Sequence, residues 1–120
     1  MTKRHEDEGS AVFTGFALTV RFTLRDGDAA LRFDSLVAEV AEAIRAEPGT
    51  LVYVVHTPVD EPLTRVFYEL YADRNAFRAH EEQAHTQHFL EAREQFLTST
   101  DVVFLNEMTE LSKRPGTERP

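Results

Sequence analysis

From position 16 to 24 every second residue is large and apolar: Phe16, Leu18, Val20, Phe22 and Leu24 alternate with Ala17, Thr19, Arg21 and Thr23. A period of two puts one set of side chains on one face, so the segment predicts a strand with one buried side. After Asp26-Gly27-Asp28 the period lengthens. Phe33, Leu36, Val37, Val40 and Ile44 form the stripe of an amphipathic helix, with Asp28 as its expected N-cap and Pro48-Gly49 as its stop. Residues 51–55 read as a buried strand, 57–62 as a turn long enough for a loose hairpin tip, and 65–71 as a third strand antiparallel to the second. Asp73 is expected to cap a helix reaching about Gln83, a second helical piece runs to Leu97, and residues 102–108 return to strand.

The order β-α-β-β-α-α-β predicts an α+β, ferredoxin-like fold: a four-stranded antiparallel sheet with its helices on one face. The other face then carries more apolar and aromatic residues than water tolerates, and a two-fold, self-complementary homodimer is the simplest way to cover it. A chain of 120 residues with 42% hydrophobic content suffices for one core and not two. The single domain is expected over 13–111, with the polar segments 1–12 and 112–120 as flexible tails.

A formal charge of −8, with 13 Lys and Arg that form no basic stripe, opposes nucleic-acid binding. The absence of cysteine excludes disulfides, thiolate metal sites and Cys nucleophiles and is compatible with a reducing cytoplasm, the expected compartment. No apolar run reaches the roughly 18 residues of a membrane span, and Arg21 and Arg25 interrupt the first apolar stretch, so neither a membrane segment nor a signal peptide is expected.

Candidate chemistry concentrates between positions 65 and 89. Three of the five histidines, His80, His85 and His88, fall within nine residues, and imidazole is the side chain whose ordinary titration lies near neutral pH. Glu69 shares a strand face with Phe67 and Tyr71. If that face meets the helices, its carboxyl enters an apolar pocket where burial raises its proton affinity, and it stands ready to orient His80 or His85. His80 continues the stripe Ala76, Phe77, Ala84, and His85 that of Phe89, Ala92 and Phe96, so both are expected to point inward. A structural network fastening helices to sheet accounts for the same pattern. His88 is expected at the rim. The His85-x2-His88 spacing lacks a third ligand, so no metal site is expected, and His5 and His56 look incidental. Tyr53, Tyr68 and Tyr71 are phenolic donors; Tyr71 lies on Glu69's face, and Tyr68 on the opposite one, where a dimer contact is expected. The acidic positions Glu81, Glu82, Glu91 and Glu94 read as solvated helix surface.

Several of these motifs together resemble one known family. Glu47-Pro48-Gly49-Thr50-Leu51-Val52-Tyr53, then Phe67-Tyr68-Glu69-Leu70-Tyr71, then Asp73-Arg74-Asn75-Ala76-Phe77-Arg78-Ala79-His80 with His85 and Phe89, are similar in order and spacing to the antibiotic biosynthesis monooxygenase domain, over roughly positions 15–109. The resemblance implies a dimeric α/β-barrel-type assembly of ferredoxin-like subunits. It also implies a small cofactor-independent monooxygenase acting on an aromatic or quinol-type molecule with dioxygen. Members that oxidise polyphenols without metal or flavin carry an Asn and a Trp on the strand matching 65–71, where this chain has Phe67 and Tyr71. Haem degraders of the same fold need an Asn on the first strand and a Trp on the third; Val20 stands near the former position and the chain has no Trp.

In the implied reaction a base removes a phenolic or enolic proton and the resulting carbanion meets dioxygen directly, with no cofactor. The expected roles are His80 or His85 as base, Tyr71 as donor to the developing oxyanion and Glu69 as orienter. Phe67 and Phe89 are expected as walls, and Tyr53 and His88 as further substrate contacts. Two other readings fit the same residues: a non-catalytic ligand-binding or structural dimeric module, and an isomerase of a small keto compound using the same base without oxygen.

Overall fold

The alternation at the start of the chain forms β1 (Phe13–Leu24), the central strand of the sheet. It is followed by α1 (Gly27–Arg45), β2 (Thr50–His56), β3 (Thr64–Tyr71), α2 (Arg74–Glu81) and α3 (Ala84–Ala92), then a 3-10 turn (Arg93–Phe96) and β4 (Leu97–Met108). The computed structural model describes residues 13–115, so the tails expected at 1–12 and beyond 115 lie outside the described residues. Of the expected C-terminal tail, Ser112 Oγ donates to the Met108 carbonyl at 2.8 Å and Arg114 Nε to Glu107 at 2.9 Å, which ties this stretch to the sheet.

The strands run in the order β2-β3-β1-β4, each antiparallel to its neighbours, with helices packed on one face; this is the ferredoxin-like α+β arrangement expected from the sequence. Two details differ. Asp26, not Asp28, caps α1: its backbone is extended and its carboxylate accepts from the Ala29 amide at 2.8 Å, whereas Asp28 already lies in the first turn and pairs with Arg32 at 2.9 Å. A cap must sit outside the helix and reach the amide three residues on, and Gly27 is already helical. β4 begins at Leu97 rather than 102, because Ser99 and Thr100 pair with Thr23 and Phe22 while offering no apolar alternation to read.

The loop expected to be loose is fastened. Leu24 N donates to the Leu63 carbonyl at 2.8 Å, Thr57 Oγ1 to that of Thr64 at 3.0 Å, and Arg65 Nη1 to that of Pro62 at 2.8 Å. Arg65 also makes a two-pronged ion pair with Asp34, at 2.8 and 2.9 Å, which clamps α1 to β3. No helix among the described residues is long and apolar enough to cross a membrane.

The core lies where α1 crosses the sheet. Phe33 is fully buried, with its ring 5.2 Å from Phe22 and 6.1 Å from Phe67. Cross-strand register then decides which residues see the helices: Val20 stands between Phe67 and Val102, and Leu18 between Glu69 and Phe104. The helical layer covers β4 only in part, with Phe77 of α2 5.8 Å from Phe104. Val102 and Phe104 are therefore 45% and 56% exposed although they belong to the helix-side face, and a cavity opens between that edge and the helices.

Candidate active site

The cavity holds about 150 Å³ and is walled mainly by Leu18, Val20, Phe22, Phe67 and Phe89, with Tyr53, Glu69, His80, Glu81, Thr86 and Arg93 as polar members. A space of that size accommodates a six-membered ring, and the exposed edge at Phe104 lets a larger molecule extend outward. Apolar walls with few converging polar groups are the usual make-up of a small-molecule site.

Glu47 organises the polar side. It stands in the turn between α1 and β2, is 11% exposed, and meets both inward histidines: Oε1 lies 2.8 Å from His80 Nδ1, and Oε2 lies 2.5 Å from His85 Nε2. Thr50 Oγ1 donates to Oε1 at 2.6 Å. The turn comes this close to α2 because position 49 is glycine; a Cβ there would sit 2.6 Å from the Ala76 Cβ. Burial pushes the Glu47 carboxyl up, but hydrogen bonds from Thr50, His80 and His85 and the charge on His80 outweigh it and hold the group below its ordinary 4.5. Glu47 is then an acceptor only, so His80 must present its proton at Nδ1 and, when neutral, its lone pair at Nε2. Among the described residues the Glu47 contact is the hydrogen bond made by this ring, which lines the cavity.

Glu69 does not orient a histidine. It accepts the Tyr71 hydroxyl proton at 2.6 Å, and both side chains lie deep in the fold, at 8% and 0% exposure. The reason is position: on β3 the Glu69 carboxylate lies beside its own strand neighbour two residues on, whereas the Glu47 turn packs against α2 at Ala76 and reaches the histidines. Burial raises the Glu69 carboxyl's proton affinity, offset in part by the Tyr71 hydrogen bond and by the charge on His80. Burial, reinforced by Glu69, likewise raises the Tyr71 phenol. Tyr71 lies behind Glu69 rather than on the cavity wall, with its proton committed. His85 contacts Glu47 from outside the lining, and His88 is half exposed, 3.4 Å from Glu39. Phe67, Phe89, Tyr53 and His80 line the cavity, and burial followed by Glu69 raises the Tyr53 phenol.

Three polar residues of this region, Glu47, Thr86 and Arg93, are not among the site residues expected from the sequence. Glu47 precedes the Pro-Gly that ends α1, and its partners lie 33 and 38 residues away. Thr86 and Arg93 follow the cavity-lining helical spacing of 86, 89, 90 and 93, a signal available in the sequence.

The sign of the Glu69 shift sets a pH test. A carboxyl whose folded pKa is raised holds stability that is full below its ordinary 4.5 and is lost as pH rises through the folded value. Glu69→Gln keeps an acceptor for Tyr71 and removes the ionisation. The variant should therefore melt increasingly above wild type as pH rises above 4.5, and show no such gain below it. A melting difference that does not change with pH would contradict the assignment.

The model of the antibiotic biosynthesis monooxygenase family matches residues 15–92. No curated protein matches the chain. Among solved structures, Rv0793 from Mycobacterium tuberculosis superposes with a TM-score of 0.74 at 26% identity, over 82% of this chain and 99% of that one. PA3566 from Pseudomonas aeruginosa gives 0.72 at 22% identity, over 80% and 96%. A mutant of SnoaB, a cofactor-independent oxygenase from Streptomyces nogalater, gives 0.69 at 18% identity, over 78% and 93%. The matched span runs from β1 to the end of α3 and takes in the Glu47 turn, both inward histidines and most of the cavity wall, and by that match this chain belongs to the antibiotic biosynthesis monooxygenase family.

Proposed function

We propose that the protein is a cofactor-independent monooxygenase of a small aromatic, quinol-type molecule, with His80 as the base. The observation that carries this reading is the ionised Glu47 fixing His80 Nδ1–H, so that Nε2 of an imidazole on the wall of an apolar cavity is left to accept a proton. Family membership supports a monooxygenase-type activity, and the fold is shared with an oxygenase described as cofactor-independent.

The chemistry balances without an added reductant. The CH₂ group next to the conjugated carbonyl system reacts as its enol, so His80 takes the enolic proton, the ring carbon, now bearing one hydrogen, becomes carbanionic, and it gives electrons to dioxygen as a C–O bond forms. The peroxide is protonated; loss of the remaining C–H proton and cleavage of the O–O bond release water and leave a carbonyl. A CH₂ group and O₂ become C=O and H₂O, and the substrate supplies all four electrons. The protein's part is to desolvate, orient and move protons. Glu47 takes the orienting role expected of Glu69, and Tyr53, which lines the cavity, is better placed than Tyr71 to donate to a developing oxyanion.

With ¹⁸O₂ and a hydroxylated anthrone as substrate, uptake should be one dioxygen per product, with a single labelled oxygen in the quinone. Conversion without oxygen uptake would establish the isomerase reading instead, and no conversion of any aromatic substrate would establish the non-catalytic module.

The assembly belongs to the same proposal. On the face away from the helices, two rows cross the sheet: Val54, Tyr68, Thr19, Val103 and Val52, Leu70, Ala17, Leu105. Val54, Val103 and Leu105 are 42%, 54% and 36% exposed there. A second copy of the chain covers such a face by a two-fold interface. Sedimentation at micromolar concentration should give twice the 13.7 kDa chain mass, and Val103→Lys should give the monomer; wild-type protein sedimenting as a monomer would defeat this part.

A further inference from the structure

A cavity that turns CH₂ and dioxygen into a carbonyl and water needs an acid as well as a base. His80 receives the first proton, and the peroxide that forms on the ring carbon must then be given one.

Glu69 stands on the floor of the cavity. Strand register places it between Tyr53 of β2 and Leu18 of β1, with Phe104 of β4 beyond Leu18, and all four side chains line the space. His80 enters from α2, in the layer above. A ring lying between the layers therefore meets an imidazole on one side and a carboxyl on the other.

The two oxygens of Glu69 are not equivalent. Oε1 takes the Tyr71 hydroxyl at 2.6 Å, and that phenol, at 0% exposure, has no other acceptor for its proton among the described residues. Oε1 is thereby held as an acceptor. Oε2 makes no hydrogen bond among the described residues, yet the side-chain atoms there that are both unpaired and sealed from solvent are Thr86 Oγ1 and Arg93 Nε. Oε2 thus keeps accessible surface, and the space beside it is the cavity that Glu69 lines. A proton on this carboxyl belongs on Oε2, facing the ligand.

The surroundings favour the protonated form. Burial pushes the carboxyl up and the Glu47 carboxylate adds to this, while the Tyr71 hydrogen bond, the charge on His80 and the Arg93 guanidinium offset it only in part. The other polar members of the wall are poorer proton donors. Burial, then Glu69, raises the Tyr53 phenol, the Arg93 guanidinium keeps its protons, the Thr86 hydroxyl is sealed, and Glu81 is exposed at the end of α2.

We infer that Glu69 is a second catalytic residue, a neutral carboxylic acid whose Oε2–H protonates the peroxide. The inference rests on the monooxygenase reading. Every proton has a place. His80 takes the enolic proton, and Glu69 gives its own to the C–O–O⁻ group. The Glu69 carboxylate then removes the remaining C–H proton as the O–O bond breaks, the C–H electron pair forms the carbonyl, and the departing hydroxide takes the proton from His80 to become water. Both residues end as they began, and dioxygen is the oxidant.

The test follows a hydroxylated anthrone on wild type, Glu69→Gln and His80→Gln: the bound enolate by its absorption under nitrogen, then quinone, oxygen uptake and peroxide once air is admitted. Glu69→Gln keeps an acceptor for Tyr71 and has no acid proton to give. It should form the enolate as wild type does, with KM little changed, and make quinone roughly 10²- to 10⁴-fold more slowly. Substrate-derived peroxide, detected by iodide, should build up in place of quinone. His80→Gln should form no enolate. Wild type at neutral pH should show the infrared C=O stretch of a protonated carboxyl that Glu69→Gln lacks, a readout that needs no turnover. Tyr71→Phe keeps the acid and should lose no more than about tenfold. If Glu69→Gln melts early, the double variant Glu69→Met/Tyr71→Phe, which removes both partners of the buried hydrogen bond, replaces it. Four results would each overturn the inference and leave the monooxygenase reading standing: unchanged quinone formation in Glu69→Gln, loss of its enolate along with its quinone, no infrared band that the variant removes, or a Tyr71→Phe loss as deep as that of Glu69→Gln. A wild type that takes up no oxygen, or a His80→Gln protein that still forms the enolate, would defeat the reading itself and the inference with it.

Discussion

Glu47→Gln should lower oxygen-dependent turnover of a quinol by roughly 10²- to 10⁴-fold, the range spanned by loss of a general base or of the carboxylate that sets its tautomer. An amide in place of the carboxylate can donate toward His80 Nδ1, which moves the ring proton to Nε2 and removes the base from the cavity. The loss should fall on kcat with KM little changed, because the ligand's walls are untouched. His80→Gln should match it, and the double variant should be scarcely worse than either, since the two act as one unit. His85→Gln, outside the cavity lining, should cost much less. Stability provides an independent reading. Glu47 has a folded pKa below its ordinary 4.5, so its contribution is present above that value and is lost as pH falls through the folded one. The melting gap between wild type and Glu47→Gln should narrow as pH drops below 4.5. Unchanged turnover in Glu47→Gln would remove His80 and Glu47 from the mechanism.

Phe33→Ala should destabilise the fold by about 3–5 kcal/mol, a large share of the roughly 5–15 kcal/mol that holds a domain together. Phe33 is the α1 residue on which three aromatic rings converge: Phe22 at 5.2 Å, Phe89 at 5.9 Å and Phe67 at 6.1 Å. At 0% exposure it has no solvent to relax into, so its removal leaves a cavity between helix and sheet. A fall in Tm on the order of 15 °C or more follows for a domain of this size. Phe89→Ala should cost less, because that ring is only partly buried and already faces open space, and its effect should appear in ligand affinity. A Phe33→Ala protein melting within a few degrees of wild type would show that α1 is anchored chiefly by other contacts, such as Arg65 with Asp34.

How far the sequence reaches depends on the range of the interaction. β1, α1 and β3 are legible because alternation and the helical stripe involve neighbours two to four residues apart, and burial on one face imposes the period directly. Asp73 as the α2 cap is legible for the same reason: its carboxylate reaches the Ala76 amide, three residues on. The inward direction of His80 and His85 was also readable, since each continues an apolar stripe. What these side chains meet was not. Glu69 and Glu47 carry the same carboxylate, and no local pattern says that the first takes the phenol of Tyr71 while the second holds both imidazoles. That choice was made when the Pro48-Gly49 turn packed against Ala76 without a Cβ in the way and brought a carboxylate to side chains 33 and 38 residues distant. The open edge at Val102 and Phe104 arises likewise from how far the helical layer extends across the sheet. The sequence by itself determined the elements, their order and the face each buries, because those are short-range consequences of hydrophobic period. Only the tertiary structure decided which carboxylate works with which histidine, because hydrogen-bond partners are set by distances of a few ångströms between segments far apart in the chain.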